Sequence, residues 1–209
     1  GSQLLVHVHF FELLWSGLDP IRSRGITSFL PDKAGAGILL PVGGLLHHHD
    51  LKTGKTRRLI ARPGGELDPK PAPDGKAVAF VRQGNLWVLD IATGRQRALT
   101  RTGSKTLQNG VAEFVAQEEL GRYTGYWWSP DAKRIAFAEV DVSPVRVVRR
   151  PEIHATKVKV VAQRYPAAGT ANARVRLAVV EVGTGRTLWV DLGPATDRYL
   201  ARVQWVPPG

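Results

Sequence analysis

The sequence lacks cysteine and any hydrophobic run long enough to cross a bilayer. Without cysteine there can be no disulfide and no thiolate metal site. The longest apolar run, residues 4–15, contains Glu12 and two histidines and is too short for a membrane span. It also lacks the basic leader and the small-residue cleavage site of a signal peptide. What is left is a globular chain of 209 residues, enough for one large all-β domain or two small ones.

Motifs of catalysis and of cofactor binding are missing as well. No Gly-x-Ser-x-Gly elbow occurs, and no order of Ser, Asp and His is supported as a triad. No glycine pattern of a phosphate-binding loop is present. The chain is therefore predicted to contain no catalytic residue and to need no cofactor.

Basic charge, in contrast, is abundant, with a formal net charge of +11 at pH 7. Such a balance raises the question of a nucleic-acid partner. The basic residues are scattered among strand-like segments, and the densest cluster is only Arg146, Arg149 and Arg150. No recognition helix, zinc-finger spacing or aromatic RNA-binding motif accompanies them. We therefore expect a solvated basic surface and no nucleic-acid binding.

A repeated pattern organises the chain. Residues 45–60, 85–100 and 177–192 each contain a strand-like run, an acid, a Thr-Gly pair and a second strand-like run. Each copy predicts a β-hairpin, because the glycine of the Thr-Gly pair can adopt φ > 0 in the turn. Pro-Asp turns at 72–81 and 129–138 precede two of these hairpins, and each predicts a further half-buried strand.

Two hairpins in a unit of about 40 residues indicate a four-stranded propeller blade. We predict an all-β fold that is part of a β-propeller of four-stranded blades. It should contain about three blades plus the start of another, with a short helical insertion. The units fall near 26–60, 71–100 and 127–192, and a further blade starts at 203.

The predicted domain boundaries follow from these units. Residues 25–209 form the partial propeller domain, with the helical insertion at about 106–124. Residues 1–24 form an N-terminal segment to which the sequence assigns no structure.

The insertion contains two adjacent acids, Glu118 and Glu119. On a helical wheel Val111, Phe114 and Val115 form an apolar stripe, and its next position is Glu118. An apolar stripe is not where a solvated helix places its charge.

Two interpretations of the acids are open on physical grounds. Adjacent carboxylates repel each other, so a site that holds both Glu118 and Glu119 favours a cation. Alternatively, Arg122 pairs with Glu118 along an exposed helix face, an interaction worth only about 0.2–0.5 kcal/mol.

The segment around these acids resembles a known family. Residues 109–141, "NGVAEFVAQEELGRYTGYWWSPDAKRIAFAEVD", are similar to the double-glutamate segment of dipeptidyl peptidase IV-type serine peptidases, of the prolyl oligopeptidase superfamily. Residues 163–193, "QRYPAAGTANARVRLAVVEVGTGRTLWVDLG", and 199–207, "YLARVQWVP", resemble bacterial members. The likeness extends from about 51 to 209 and is weaker from 25 to 50.

The resemblance implies a function for the glutamates. In this family an N-terminal propeller caps a C-terminal α/β-hydrolase domain, which here would lie beyond residue 209. Glu118 and Glu119 would bind the free N-terminal ammonium of a peptide, so that the hydrolase domain removes an N-terminal dipeptide, with Pro or Ala preferred second. The chain alone should then be inactive.

The resemblance also implies peptide substrates, a homodimer and a secreted or periplasmic location. The rival hypothesis is a non-catalytic β-propeller scaffold for protein interaction, in which the two acids belong to a structural network. N-acetylation of a test peptide separates the two hypotheses, because only the peptidase requires a free amine.

The chain departs from the family pattern at three places. The first hairpin contains "LLHHHDL" at 45–51, Phe114 replaces a usual Trp, and Val142 replaces a common acid. Arg62 lies near the register of a family arginine that contacts substrate, but the match is ambiguous and the role is not assigned to it.

Histidines and tryptophans form the remaining clusters. His47 and His49 would share one face of a strand while His48 points away, and His7 and His9 are candidate partners. No further ligand at supporting spacing completes a site, so no metal is predicted. Packing between blades, rather than a ligand cage, is predicted for the tryptophans of the blade strands: Trp87, Trp127, Trp128, Trp189 and Trp205.

Overall fold

The computed structural model describes residue 26 and residues 28–42, 44–60 and 64–206. The predicted N-terminal segment, with His7 and His9, lies outside the described residues, and so does Arg62. The described residues divide into two compact units. One contains those up to Phe80 together with 88–97, and the other contains 81–87 together with those from Ala98 onward.

The first two sheets are four-stranded antiparallel sheets whose strands follow one another in chain order. The first contains β1 (Leu30–Pro31), β2 (Gly37–Val42), β3 (Leu45–Asp50) and β4 (Thr56–Arg58). The second contains β5 (Leu67–Pro71), β6 (Ala77–Arg82), β7 (Asn85–Asp90) and β8 (Gln96–Ala98). These two sheets are the first two predicted blades.

The third sheet contains two insertions. The remaining elements in chain order are β9 (Leu107–Asn109), α1 (Phe114–Glu118), β10 (Tyr126–Trp128), β11 (Arg134–Asp141), β12 (Val147–Ile153), β13 (Val158–Arg164), β14 (Arg174–Glu181) and β15 (Thr187–Trp189). The strand order is β10-β11-β14-β15, and β9 also pairs with β11. Strands β12 and β13 pair only with each other among the described strands. This sheet is the predicted third blade, and the all-β prediction of about three blades is confirmed.

The chain after the third sheet contains no strand among its described residues, which end at Val206. The further blade predicted from residue 203 therefore stays a prediction.

The acid that recurs in each hairpin stabilises the hairpin turn by accepting hydrogen bonds from the residues that follow it. In the second sheet Asp90 Oδ1 accepts the N–H and the hydroxyl of Thr93, both at 2.7 Å. In the first sheet Asp50 Oδ1 accepts the N–H of Thr53 at 2.8 Å. Backbone donation from Thr53 and Thr93 holds the pKa of Asp50 and of Asp90 below its usual value. Gly94, which follows in the second turn, has φ +73°, which only glycine adopts without strain.

Glu181 performs the same task in the third sheet with a longer side chain. It accepts the hydroxyl of Thr184 at 2.8 Å and the guanidinium of Arg186 at 2.7 Å. These two side-chain bonds, with Arg186 the stronger cause, lower the pKa of Glu181. The three predicted hairpin turns therefore form by related hydrogen bonding.

The second strand of each of the last two sheets is buried on both faces. In β6 the run from Val78 to Val81 is at most 1% exposed, and in β11 the run from Ile135 to Val140 is buried throughout. The Pro-Asp pattern predicted half-buried strands here, and that prediction was wrong. Strands covered on both faces have near-continuous apolar sequences rather than alternating ones.

The predicted helical insertion is much shorter than expected. Only Phe114–Glu118 is helical, whereas the segment before it forms β9 and the bridge from Val111 to Thr124. Gly110 at φ +80° and Gly121 at φ +60° lie on either side of the helix. Glycines in this conformation turn the chain, so a longer helix cannot continue through them.

Candidate functional site

Glu118 and Glu119 lie together at the C-terminal end of α1. Glu118 is the last helical residue and Glu119 is the C-cap, and both are exposed. Neither carboxylate forms a hydrogen bond or an ion pair with another described residue. The structure therefore brings two adjacent, exposed and unneutralised carboxylates to one end of a short helix.

The predicted apolar stripe through Glu118 was wrong. The buried helix residue is Ala116, at 0% exposure, while Phe114 and Val115 are only partly buried and Glu118 is exposed. Val111 precedes the helix and lies in a β-bridge, so the helical rotation does not relate it to Glu118. The helical wheel assumed a period of 3.6 residues from Val111 to Glu118, but only Phe114–Glu118 is helical.

The alternative interpretation, a pair between Arg122 and Glu118, does not match the structure. The Arg122 side chain is buried, and its Nη2 lies 3.9 Å from Oε1 of Glu113, at the opposite end of the helix. Gly121 turns the chain immediately after the helix, so the i, i+4 relationship of a continuous helix does not apply.

Glu113 is the N-cap of α1. Its backbone is extended, with φ −74° and ψ 165°, and its Oε1 accepts the N–H of Ala116 at 2.9 Å. Glutamate is not among the preferred N-cap residues, which are Ser, Thr, Asp and Asn. For that reason no sequence signal marks this cap.

Two backbone hydrogen bonds close the C-terminal end of α1. The N–H of Glu119 donates to the carbonyl of Val115, and the N–H of Arg122 donates to the carbonyl of Ala116, both at 2.9 Å. Gly121 lies between the two donors at φ +60°, which lets the chain fold back over the last turn.

The Arg122 guanidinium is bonded to separate parts of the chain. Its Nε donates to the carbonyl of Leu200 at 2.7 Å, and its Nη1 donates to the carbonyl of Thr124 at 2.8 Å. Burial lowers the pKa of Arg122, and the nearby Glu113 carboxylate partly opposes that shift. The group also lies 5.9 Å from the ring centroid of Trp127, within the range of a cation–π contact. This role of Arg122 has no sequence signal, because nothing in the chain marks Leu200 as its neighbour.

The arrangement of the two glutamates is suited to a cationic ligand. Carboxylates accept hydrogen bonds only, and a primary ammonium offers three N–H donors. Hydrogen bonds in which both partners are charged are roughly twice as strong as neutral ones. Because no described residue neutralises either carboxylate, both are available to such a ligand.

The three histidines of β3 do not form a metal site among the described residues. His49 is hydrogen-bonded to the Thr56 hydroxyl at 2.9 Å, whereas the buried Nδ1 of His47 has no hydrogen-bond partner in the structure. Burial is the main cause that lowers the pKa of His48. The described residues contain no group of three or more side chains able to hold a metal ion. The hairpin itself forms, with Ile38 opposite His49.

Two departures from the family pattern have structural consequences. Phe114 packs edge-to-face on Tyr165, with ring centroids 5.3 Å apart, so an aromatic contact is present where a Trp is usual. Val142 packs against the buried cluster of Ala138, Val140 and Val175. An apolar residue at position 142 therefore contributes to packing.

Arginine side chains lie over the rings of several of the tryptophans named from the sequence. The pairs are Arg82–Trp87, Arg122–Trp127, Arg134–Trp205 and Arg176–Trp189. Part of the positive charge is therefore used in packing. Packing of these tryptophans between blades stays a prediction.

A family model described as the dipeptidyl peptidase IV N-terminal region matches residues 41–209, which include both glutamates. The chain belongs to this family. The match begins within β2, so nearly all of the three sheets lie inside it.

Curated relatives are similar over most of the chain. Dipeptidyl peptidase 8 of Homo sapiens is 31% identical over 176 residues, covering 70% of this chain and 20% of the relative. Probable dipeptidyl peptidase 4 of Aspergillus clavatus is 30% identical over 167 residues, covering 75% of this chain and 22% of the relative. This chain thus spans about a fifth of the length of these relatives.

Solved structures show the same architecture. The crystal structure of Porphyromonas gingivalis dipeptidyl peptidase 4 aligns with a TM-score of 0.73 and 26% identity, covering 84% of this chain and 28% of that one. Among the described residues of the present chain, no helix is long and apolar enough to span a membrane.

Proposed function

We propose that this chain is the substrate-recognition and gating propeller of a dipeptidyl aminopeptidase. In this proposal Glu118 and Glu119 bind the N-terminal ammonium of a peptide substrate. A serine hydrolase domain of the same protein, outside this chain, then removes the N-terminal dipeptide. The observation that carries the proposal is the pair of exposed carboxylates at the end of α1, without a partner among the described residues.

The relatives supply the reaction class. Each of those described above is named a dipeptidyl peptidase, and each is several times longer than the matched region. The remaining length is where the proposal places the nucleophile, because the sequence contains no Gly-x-Ser-x-Gly elbow. This chain alone should accordingly be inactive.

In this proposal the two glutamates determine which peptide bond is cleaved. Two residues of extended chain span roughly 7 Å. If the ammonium is fixed at Glu118 and Glu119, the peptide bond after the second residue lies at a set distance from it. A nucleophile held at that distance cleaves dipeptides rather than single residues, because substrate positioning selects the bond that is attacked.

The propeller fold and the family suggest two further features of the parent protein. We propose that it is periplasmic or secreted, as the resemblance to bacterial members implies. We also propose that it is a homodimer, with the β12–β13 hairpin at the interface. One face of this hairpin carries exposed apolar residues, among them Val147, Ile153, Val158 and Val160, of which Ile153 is 80% exposed. A second copy of the same face would cover them.

The test of the glutamate assignment uses the full-length protein that carries this chain. Glu118→Gln combined with Glu119→Gln keeps the size of both side chains and removes both charges. We expect kcat/KM for a chromogenic dipeptide amide with a free amine to fall by about 100-fold or more, since each charge-assisted bond contributes about 1.5–3 kcal/mol. The loss should appear mainly in KM.

The matched control removes the same charge elsewhere. Glu152→Gln combined with Asp197→Asn neutralises two acids outside α1 and should leave KM unchanged. An unchanged kcat/KM in the Glu118/Glu119 variant would show that the glutamates do not bind substrate. Hydrolysis of the N-acetylated substrate at the rate of the free-amine substrate would instead favour the scaffold hypothesis for this chain.

A further inference from the structure

Arg122 ties both ends of α1 to the rest of the chain. Its backbone N–H donates to the carbonyl of Ala116 at the C-terminal end, and its Nη2 lies 3.9 Å from Glu113, which caps the N–H of Ala116. Both the N–H and the carbonyl of the one buried helix residue are thus connected to the Glu113–Arg122 pair. Glu118 follows Ala116 by two residues, so its backbone position depends on these bonds.

The helix cannot hold this geometry by itself. It contains five residues, Phe114–Glu118, whereas isolated helices shorter than about 12–15 residues are marginal in water. External bonds must therefore define where its last turn lies. Nε and Nη1 of Arg122 supply such bonds, because they donate to the carbonyls of Leu200 and Thr124.

The burial of Arg122 is poorly explained by stability alone. Its side chain is 6% exposed, and its buried Nη2 has no hydrogen-bond partner in the structure. Buried ion pairs are often no more stabilising than apolar residues of similar volume. What a guanidinium adds is a planar fork of donors that fixes several acceptors relative to one another.

We propose that Arg122 is a positioning residue that fixes Glu118 and Glu119 in the orientation that binds the substrate ammonium. The inference rests on the proposed function of the two glutamates. Arg122 does not itself touch substrate, because its guanidinium is buried, donates to the carbonyls of Leu200 and Thr124, and lies 3.9 Å from the Glu113 carboxylate. It acts through the backbone of the last turn of α1.

A double-mutant cycle in the full-length protein tests this inference. The variants are Arg122→Met, the double variant Glu118→Gln with Glu119→Gln, and their combination. We expect Arg122→Met to raise KM for the free-amine dipeptide amide by about 10- to 100-fold, as misplaced binding groups do, with a smaller change in kcat. In the background without the two carboxylates, Arg122→Met should change KM less than twofold, because there is no charge left to position.

Arg122→Lys tests whether Arg122 acts through its hydrogen-bonding geometry or through its positive charge. Lysine keeps the positive charge but lacks the planar fork that reaches two carbonyls at once. We therefore expect KM for Arg122→Lys to resemble that of Arg122→Met. The matched control is Arg176→Met, since Arg176 also pairs with an acid, Glu139 at 3.1 Å, and lies over a tryptophan ring, yet has no bond to α1. This control should leave KM unchanged.

Amide hydrogen exchange gives a readout that is independent of catalysis. In Arg122→Met the amides of Ala116 and Glu119 should exchange faster than in the wild-type protein, while those of the buried strand β11 should not. If Arg122→Met fails to fold, Glu113→Gln serves in its place, because the amide oxygen can still cap the helix while the ion pair is lost. A rise in KM of several-fold is expected for that variant.

The outcomes distinguish the two proposals. If the glutamate variant loses substrate affinity but the arginine variants, or Glu113→Gln in their place, bind as the wild type does, the positioning role is overturned and the glutamate site stands. If the effects of Arg122→Met and of the glutamate double variant are additive in the cycle, Arg122 acts by another route and the inference is wrong. If the glutamate variant itself keeps a normal KM, the proposed function fails, and the positioning inference fails with it.

Discussion

Ala132, in the turn before β11, has the same left-handed backbone as Gly75, in the turn before β6. Their φ angles are 58° and 71°, and each donates its N–H to the carbonyl three residues earlier, Ala132 to Ser129 and Gly75 to Ala72. The two Pro-Asp turns are therefore structurally equivalent, although one contains a residue with a Cβ atom. An alanine in this conformation is strained by roughly 1–2 kcal/mol, because its Cβ crowds the backbone.

The first prediction follows from that strain. Ala132→Gly should raise the free energy of unfolding of the chain by about 1 kcal/mol, after allowing for the greater flexibility of glycine in the unfolded state. The reciprocal variant, Gly75→Ala, should lower it by more, because the added Cβ would also lie 3.1 Å from Oδ2 of Asp32. Denaturant unfolding measures both. Equal stability of Ala132→Gly and the wild type would contradict the assigned backbone.

The second prediction concerns acid. Hydrogen bonds from Thr93 hold the pKa of Asp90 below its usual value. A carboxyl with a depressed folded-state pKa stabilises the fold above the unfolded-state pKa, and that contribution is lost as pH falls through the folded-state pKa. We expect the thermal midpoint of the chain to decline below about pH 4, and Asp90→Asn to make that decline shallower.

Thr93→Val provides an intermediate case for the acid experiment. It removes the hydroxyl bond to Asp90 at 2.7 Å and keeps the backbone N–H bond. The pH dependence should then lie between those of the wild type and Asp90→Asn. An unchanged pH profile in Asp90→Asn would mean that this turn does not contribute to acid sensitivity.

The third prediction concerns the glycine that ends the helix. Gly121 has φ +60° and space for a Cβ, so Gly121→Ala adds backbone strain of roughly 1–2 kcal/mol without a clash. Because the strain lies two residues after Glu119, KM of the full-length protein for a free-amine substrate should rise severalfold. Gly193→Ala is the matched control, with φ +81° and equal space but no contact with α1. It should lose similar stability and keep its KM.

The fourth prediction concerns the β12–β13 hairpin. Ile153→Lys combined with Val160→Lys places charge on its exposed apolar face and should convert a homodimer of the full-length protein to monomer in sedimentation experiments. Glu152→Gln alters the opposite face of the same strand and should leave the dimer intact. A dimer that survives the two lysines would locate the interface elsewhere.

The blades were predictable because their signals are local. The acid and Thr-Gly of each hairpin lie within a few residues of one another, and the turn forms from bonds such as those between Asp90 and Thr93. The Pro-Asp turns at Ala72 and Ser129 are equally local. Burial on both faces of β6 and β11 was not predictable, because it depends on what packs against each face.

In the candidate site, too, some features were predictable from the sequence and others were not. Adjacency of Glu118 and Glu119 is a property of the sequence itself, and the motif around them indicated the family. Their exposure, the five-residue length of α1 and the burial of Arg122 depend on the tertiary structure. The helical wheel assumed that Val111 lies in the helix. In the structure Val111 forms a β-bridge with Thr124, so the wheel does not apply to it.

By itself the sequence determined the repeat, the turn chemistry and the family, since each rests on residues that are neighbours along the chain. Only the tertiary structure decided that Arg122 bonds to Leu200, 78 residues away, and lies beside Glu113 rather than Glu118. The physical reason is that a buried guanidinium must find its acceptors wherever folding places carbonyls and carboxylates. Distance along the chain carries no information about such a partner.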